Sequence, residues 1–143
     1  MRASIALTFL TDIVVKIWVR QHPATAGRFA FWTSAGPLGI VPSTNDVLAF
    51  SLPIPNIWIW PVGWIVVFLL LWYARKSGSR VQIAACAIVL GAFSNLIDRT
   101  FLGGVTDYLS FTNLFPAFNI ADLLILGGIG GWMYGTRRVV GNS

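Results

Sequence analysis

Glutamate is missing from this sequence, and cysteine and histidine occur only once each. Charged residues make up 10% of the 143 positions, whereas soluble domains carry about 25%. The five acidic residues are all aspartates: Asp12, Asp46, Asp98, Asp107 and Asp122. Since 56% of the residues are hydrophobic and the mean hydropathy is +0.73, the composition excludes an ordinary soluble domain and indicates an integral membrane protein.

The lone cysteine and histidine exclude several kinds of site. Cys86 has no partner for an intrachain disulfide or a CxxC metal site, and His22 stands beside Pro23 with no other His or Cys near it in sequence. We therefore expect no metal and no cofactor. The net charge of +5 does not indicate nucleic-acid binding, because the basic residues lie at the ends of apolar runs and not in a stripe with aromatics.

Four apolar segments are candidates to span a bilayer, at about residues 3–19, 57–74, 81–97 and 114–135. A spanning helix needs about 17 to 25 mostly apolar residues, and the first segment meets this limit only narrowly. Asp12 and Lys16 interrupt that segment, so we expect a helix of the mature protein and not a cleaved signal peptide. The prediction is one all-α integral membrane domain over residues 1–143, with four transmembrane helices.

The distribution of Lys and Arg predicts the orientation. In a four-span arrangement one side carries Arg2, Arg75, Lys76, Arg80, Arg137 and Arg138, and the other side carries Arg20 and Arg28. Positive residues favour the cytoplasmic side, so both termini are expected in the cytoplasm. Residues 21–56 and 99–113 are then extracytoplasmic. Partial alternation and many Pro and Gly residues in the first of them predict a small β/loop subdomain.

An ionisable residue within an apolar segment needs a polar partner or a function, because inserting one such group at the bilayer centre costs about 2.5–3.5 kcal/mol of free energy. Asp12 and Lys16 have the favourable i, i+4 order, and we interpret them as a structural pair that neutralises itself and ties the first helix to the bundle. In "NLIDR", Asn95, Asp98 and Arg99 face one way at the outer end of the third helix. Their arrangement fits two interpretations: a salt bridge and helix cap at the membrane interface, or part of a functional site.

The inner half of the fourth helix carries small residues and aromatics. Gly127 and Gly131 form a small-xxx-small pair, with Gly135 one step further, which predicts close packing against another helix. Aromatic residues mark the inner ends of the second and fourth helices: Trp72, Tyr73, Trp132 and Tyr134. Such a belt is typical of the membrane–water interface.

Two further aspartates return to the outer interface. Asp107 follows the third helix in "GGVTDYLSF", and Asp122 lies in the first turns of the fourth helix, three residues after Asn119. Taken singly, Asp107 fits a turn residue and Asn119 fits a helix cap. Two carboxylates that approach closely cannot both ionise easily, so they can share a proton. One can then take a proton from water while the other donates to a carbonyl oxygen.

These residues resemble a known family. The stretch "GAFSNLIDRTFLGGVTDYLSF", followed by "FNIADLLILGG", is similar in residue type, order and spacing to the two C-terminal signature blocks of the lipoprotein signal peptidases, also called signal peptidase II. The Asp12/Lys16 pair and the four-span topology match the same family. The resemblance implies that Asp107 and Asp122 form the catalytic dyad. It implies supporting and substrate-positioning roles for Asn45, Asn95, Asp98, Arg99 and Asn119.

The resemblance further implies an aspartic endopeptidase of the bacterial cytoplasmic membrane, with its site near the outer leaflet. Its partners would be membrane lipid and prolipoproteins whose cysteine carries diacylglycerol, cut just before that cysteine, and we expect a monomer. Two features depart from the family: Val47 stands where a Gly is usual, and the segment from Asp107 to Asp122 is short. The alternative is a non-catalytic four-helix membrane protein, either a degenerate lipoprotein-binding paralogue or a proton- or ion-handling subunit.

Overall fold

The computed structural model describes residues 2–23, 38–45, 56–111 and 116–140. Its helices are α1 (Arg2–Gln21), α2 (Asn56–Arg75), α3 (Ser79–Leu102) and α4 (Ile120–Val140). Strands β1 (Leu38–Asn45) and β2 (Val105–Phe111) pair as a two-stranded antiparallel sheet. This confirms a mostly helical chain with a small strand subdomain. Val47, most of the segment 21–56 and residues 112–115 lie outside the described residues.

The third helix is longer at its outer end than the apolar run suggests. It continues to Leu102, five residues beyond the apolar run that ends at 97, so Asp98 and Arg99 lie in the helix as the "NLIDR" motif predicted. It ends at Gly103, whose φ of 76° is left-handed and whose N–H donates to the carbonyl oxygen of Arg99 at 3.2 Å. Glycine takes this conformation without a Cβ clash, which is why the helix stops here. The fourth helix begins at Ile120, later than the apolar run at 114 suggests.

Polar side chains are buried in this bundle and many apolar ones are exposed. The largest fully buried polar side chains include Asp12, Lys16, Ser94, Asp98 and Asn119. Exposed apolar side chains cover the outside of three helices: Leu7, Leu10 and Val14 on α1, Ile65, Phe68 and Leu69 on α2, and Leu123, Leu126 and Met133 on α4. Within the described residues, α3 is the one helix that is both long and apolar enough to cross a membrane. An apolar surface around a polar interior suits lipid better than water.

The sheet positions Asp107 at the end of the bundle where α3 ends and α4 begins. Ser43 of β1 lies opposite Asp107 of β2, and the register shifts between Ile40 and Ser43, around Pro42, which has no N–H to donate. On the other side of β2, the backbone of Phe118 exchanges two hydrogen bonds of 2.8 Å with that of Leu109. The chain just before α4 is thereby fastened beside β2.

Helices α3 and α4 approach each other through glycines. A Cβ built on Gly91 of α3 would lie 2.5 Å from the carbonyl oxygen of Ala121, and one on Gly128 of α4 would lie 2.8 Å from that of Ala84. Both distances are too short for real atoms, so only glycine permits this backbone contact. Helix α1 packs on both α3 and α4, whereas α2 packs on α3.

The predicted glycine face of α4 is wrong at one position. A Cβ on Gly127 would meet nothing within 4 Å, whereas Gly128 lies against the backbone of α3. Gly131 and Gly135 do face α3, with nearest Cβ contacts of 3.5 and 3.3 Å. The packing face is therefore Gly128, Gly131 and Gly135, spaced i, i+3 and i+7, as expected of one side of a helix.

Gly128→Ala is expected to destabilise the protein, because its methyl group would overlap backbone atoms of α3. Overpacking of this kind costs about 1–3 kcal/mol. Gly127→Ala is the matched control, since its methyl group enters open space and alanine favours a helix interior by about 1 kcal/mol over glycine. Thermal unfolding of both variants in one detergent measures the difference. Equal midpoints would show that α3 and α4 do not pack through Gly128.

Candidate active site

Asn119 connects Asp107 and Asp122. Its Nδ2 donates to Oδ1 of Asp107 at 2.7 Å, and its backbone N–H donates to Oδ2 of Asp122 at 3.1 Å. Its Oδ1 in turn accepts the backbone N–H of Asp122 at 3.0 Å. The exchange between Asn119 and Asp122 is a capping box at the start of α4. One fully buried residue thus holds a carboxylate from β2 and a carboxylate from α4.

Asp122 receives hydrogen bonds on both carboxylate oxygens. Asn95 of α3 donates its Nδ2 to Oδ1 at 2.9 Å, and the backbone N–H of Asn119 reaches Oδ2. The residue also lies in the first turn of α4, where the exposed N–H groups and the helix dipole stabilise negative charge. These donors fix the orientation of the Asp122 carboxyl group.

Asp107 has the opposite environment. It is 4% exposed, and burial and then the negative charge of Asp122 raise the pKa of its carboxyl to about 6. Hydrogen bonds from Asn119 and Asn45 and the charge of Lys16 act in the other direction but do not cancel that rise. The structure places Asn45 against Asp107, within the site, and the two aspartates interact electrostatically.

The predicted ion pair of α1 forms, and it lies next to the site. Nζ of Lys16 is 3.1 Å from Oδ2 of Asp12, and both side chains are buried. The same Nζ also contacts Ser94 Oγ at 3.0 Å, Asn95 Oδ1 at 2.9 Å and Asp98 Oδ2 at 3.1 Å. The pair therefore ties α1 to α3, and through Asn95 it reaches a residue that binds Asp122.

Asp98 links α1 to the start of β2. Arg20 Nη2 donates to its Oδ1 at 2.5 Å, and the backbone N–H of Thr106 donates to its Oδ2 at 3.1 Å. Arg20 also donates its Nε to the hydroxyl of Thr106 at 2.6 Å. Asp98 thus supports the strand that carries Asp107 and does not bind the dyad directly. Arg99 is buried in the same turn of α3.

Sequence reasoning missed several polar residues of this network. Arg20 lies four residues after Lys16, which lies four after Asp12, so this spacing already placed Arg20 on the polar face of α1. Tyr108 donates its hydroxyl to Asp12 Oδ1 at 2.8 Å and accepts the backbone N–H of Ile120 at 3.2 Å. Burial and the charge of Asp12 raise the pKa of Tyr108, which keeps the hydroxyl protonated. No spacing in the sequence pointed to Tyr108, because its partners come from α1 and α4.

The arrangement suits proton transfer more than metal chemistry. Asp122 accepts N–H donors on both carboxylate oxygens, whereas burial and the charge of Asp122 make Asp107 easier to protonate than an ordinary aspartate, and such unequal environments are how paired carboxylates divide acid and base roles. In the described part of the chain, no group of three or more His, Cys, Asp or Glu side chains is arranged to hold a metal ion. Nor does any buried side-chain nitrogen or oxygen there lack a hydrogen-bond partner.

Comparison with known proteins decides the family. The sequence profile of the family described as signal peptidase (SPase) II matches residues 4–136. The chain belongs to the signal peptidase II family. A lipoprotein signal peptidase of Gloeobacter violaceus is 33% identical over 137 residues, which cover 92% of this chain and 78% of that protein. This membership confirms the resemblance read from the signature blocks.

Two further comparisons describe the extent of the similarity. A lipoprotein signal peptidase of Halalkalibacterium halodurans is 34% identical over 93 residues, and the match spans only 60% of either protein. The solved structure of a bacterial membrane enzyme, determined by the in meso method at 2.3 Å resolution, shares the fold with a TM-score of 0.81 and 22% identity. The match covers 97% of this chain and 88% of the chain in that structure. This signal peptidase II family member therefore shares the fold of that bacterial membrane enzyme along nearly its whole length.

Asp107→Asn is expected to change how the stability of this signal peptidase II family member depends on pH. A buried carboxyl whose pKa rises from 3.8 to about 6 on folding is stabilising when protonated, and that contribution is lost as the pH rises to about 6 and beyond. Asparagine mimics the protonated form at every pH. The variant should therefore gain about 1.4 kcal/mol relative to wild type between pH 5 and pH 8, because wild type loses about 1.36 kcal/mol per pH unit until the pH reaches the folded-state pKa of about 6. Thermal unfolding at both pH values measures this gain, and a constant difference would contradict it.

Proposed function

We propose that this protein is a lipoprotein signal peptidase that works as an aspartic endopeptidase. It removes the signal peptide from diacylglyceryl-modified prolipoproteins by cutting before the lipidated cysteine. The observation that carries the proposal is the position of Asn119, which hydrogen-bonds both Asp107 and Asp122 and holds them together at one end of the bundle. Family membership and the names of its relatives support the substrate class.

The two aspartates divide the chemistry. Ionised Asp122 takes a proton from a water molecule, whose oxygen adds to the scissile carbonyl carbon while protonated Asp107 gives its proton to the carbonyl oxygen. In the collapse of this intermediate, the proton on Asp122 goes to the leaving nitrogen and the C–N bond breaks. Asp107 recovers its proton from the hydroxyl as the new carboxyl forms. Neither aspartate is consumed, and no covalent intermediate is needed.

The neighbouring polar groups keep the dyad in place. Asn95 and Asn119 supply the N–H donors that orient Asp122, and Asn45 and Asn119 orient Asp107. Because Asn45 lies on β1 beside Asp107, it is also placed to meet the backbone of a substrate bound in extended form. Every one of these groups comes from a single chain, which is why we propose a monomer.

The site lies at the outer leaflet in this proposal, with four spanning helices and both termini in the cytoplasm. Arg75, Lys76 and Arg80 gather at the turn between α2 and α3, which favours the cytoplasmic side. From Arg80 to Asp98 the helix rises about 27 Å, close to the thickness of a hydrocarbon core. The ring of Tyr73 stacks on that of Trp132 at 5.2 Å near the basic turn, as suits an inner interface.

Asp107→Asn and Asp122→Asn are each expected to lower cleavage by about 10²- to 10⁴-fold, because an amide can neither take up nor release the proton. Purified protein in detergent is incubated with a diacylglyceryl-modified prolipoprotein, and the mass lost from the substrate reports removal of the signal peptide. Cys86→Ala is the matched control, since Cys86 lies away from the dyad on α3 and should leave the rate unchanged.

Thermal unfolding of the same samples separates lost chemistry from lost folding. Asp107→Asn should stay folded, so its loss of activity would be chemical. Full activity of either asparagine variant would refute the dyad. A wild-type protein that folds but cleaves no lipidated substrate would favour the non-catalytic alternative, and activity lost in Cys86→Ala would point to a thiol.

A further inference from the structure

Lys16 makes more contacts than neutralisation of Asp12 requires. Its ammonium group lies within 3.1 Å of acceptors on Asp12, Ser94, Asn95 and Asp98, and the side chain is 1% exposed. Asp98 has a second cation in Arg20, so its charge is balanced without Lys16. Charge balance leaves two contacts unexplained: those to the neutral hydroxyl of Ser94 at 3.0 Å and to the neutral amide of Asn95, the shortest of the four at 2.9 Å. Of these two, Asn95 is the residue that also donates to Asp122.

The amide of Asn95 has one orientation in which all its contacts are satisfied. Its Oδ1 accepts from Lys16 Nζ and from Asn119 Nδ2, while its Nδ2 donates to Asp122 Oδ1. A half-turn of the amide would set its NH₂ group against two donors, one of them a cation, and its oxygen against a carboxylate. The orientation is thus decided by the donors that face Oδ1.

Of those two donors, Lys16 is the stronger. The Asn119 amide nitrogen has nearby acceptors on Asp107 at 2.7 Å, on Asn95 at 3.2 Å and on the carbonyl of Thr106 at 3.4 Å. Its best hydrogen bond is to Asp107, so its hold on Asn95 is weak. A charged donor at 2.9 Å makes a stronger hydrogen bond than a shared neutral donor at 3.2 Å.

We propose that Lys16 is a positioning residue for peptide cleavage, because it fixes the amide of Asn95 so that the N–H of Asn95 points at Asp122. The inference rests on the proposed function, in which Asp122 takes a proton from water. In this proposal Lys16 has two roles: it pairs with Asp12, and it orients a residue of the site. Loss of the second role would misplace the carboxylate without removing any group that touches substrate.

Replacing both Asp12 and Lys16 by neutral residues separates the charge-pairing role of Lys16 from its positioning role. Lys16→Met alone would leave Asp12 charged and buried without its cation, and it can fail to fold for that reason. In the double variant Asp12→Asn/Lys16→Met, the new amide oxygen can still accept from Tyr108 and Ala121, and the new NH₂ can donate to Ser94. Asp98 keeps Arg20. The donor to Asn95 is then lost without a substitute, whereas Asp98 Oδ2 keeps the backbone N–H of Thr106 and Ser94 exchanges the Asp12 acceptor for the new NH₂ donor.

The double variant is expected to fold with a thermal midpoint near that of wild type and to cleave the lipidated substrate with kcat lowered about 10–100-fold. A displacement of about 1 Å in a reacting group has effects of this size. KM should stay within about two-fold, since no substrate contact is removed. In an Asn95→Ala background the same double substitution should cause no further loss, because Lys16 acts through the Asn95 amide.

Two results would overturn the inference: activity of the double variant within two-fold of wild type, or a further loss of kcat in the Asn95→Ala background. The first would show that the pair only neutralises charge, and the second that Lys16 acts by another route. Asp122→Asn, measured in parallel, separates this inference from the proposed function. An active Asp122→Asn enzyme would refute the proposed function. An inactive Asp122→Asn enzyme together with a fully active double variant would refute only the positioning role of Lys16.

Discussion

The hydrogen bonds of Asn119 to Asp107 and Asp122 are the interaction on which the rest of the structure depends. They join the strand subdomain to the start of α4, alongside the backbone bonds at Phe118 and the hydrogen bond from Ile120 to Tyr108. Without this bridge, two carboxylates would face each other in a poorly solvated place with only repulsion between them. The amide and backbone N–H of one residue offset that repulsion and set the distance between the two groups.

The need for hydrogen-bond partners extends from the two aspartates into the helix bundle, because lipid supplies no hydrogen bonds. A polar group that enters such a bundle must find its partner within the protein, and each partner then needs one of its own. The chain of contacts from Asp122 through Asn95 to Lys16, and from there to Asp12 and Tyr108, follows this logic. Helix α1 carries no proposed catalytic residue, yet its polar face fills the centre of the network. Close backbone contact between α3 and α4 at Gly91 and Gly128 brings those partners within reach.

Each sequence pattern predicted only the part of the fold that it encodes. Apolar runs marked all four helices, because burial in lipid requires continuous hydrophobic sequence. They marked the ends poorly: α3 continues through Asp98 and Arg99 to Leu102, since polar side chains satisfied by α1 and β2 do not interrupt a helix. The strand that carries Asp107 was not predicted, and Asp107 taken singly fitted a turn residue, because the pairing with β1 depends on residues at least sixty positions away.

The sequence by itself determined the membrane class, the four helices of the described residues and several of the polar residues that gather at one end, because composition, hydropathy and motif spacing are local properties. It also indicated the family, whose signature is written in short blocks. Tertiary structure alone decided which groups touch: that Asn119 bridges the aspartates, that Gly128 and not Gly127 packs, and that Arg20 and Tyr108 join the network. The reason is physical, since each of these contacts joins separate elements and depends on how they pack.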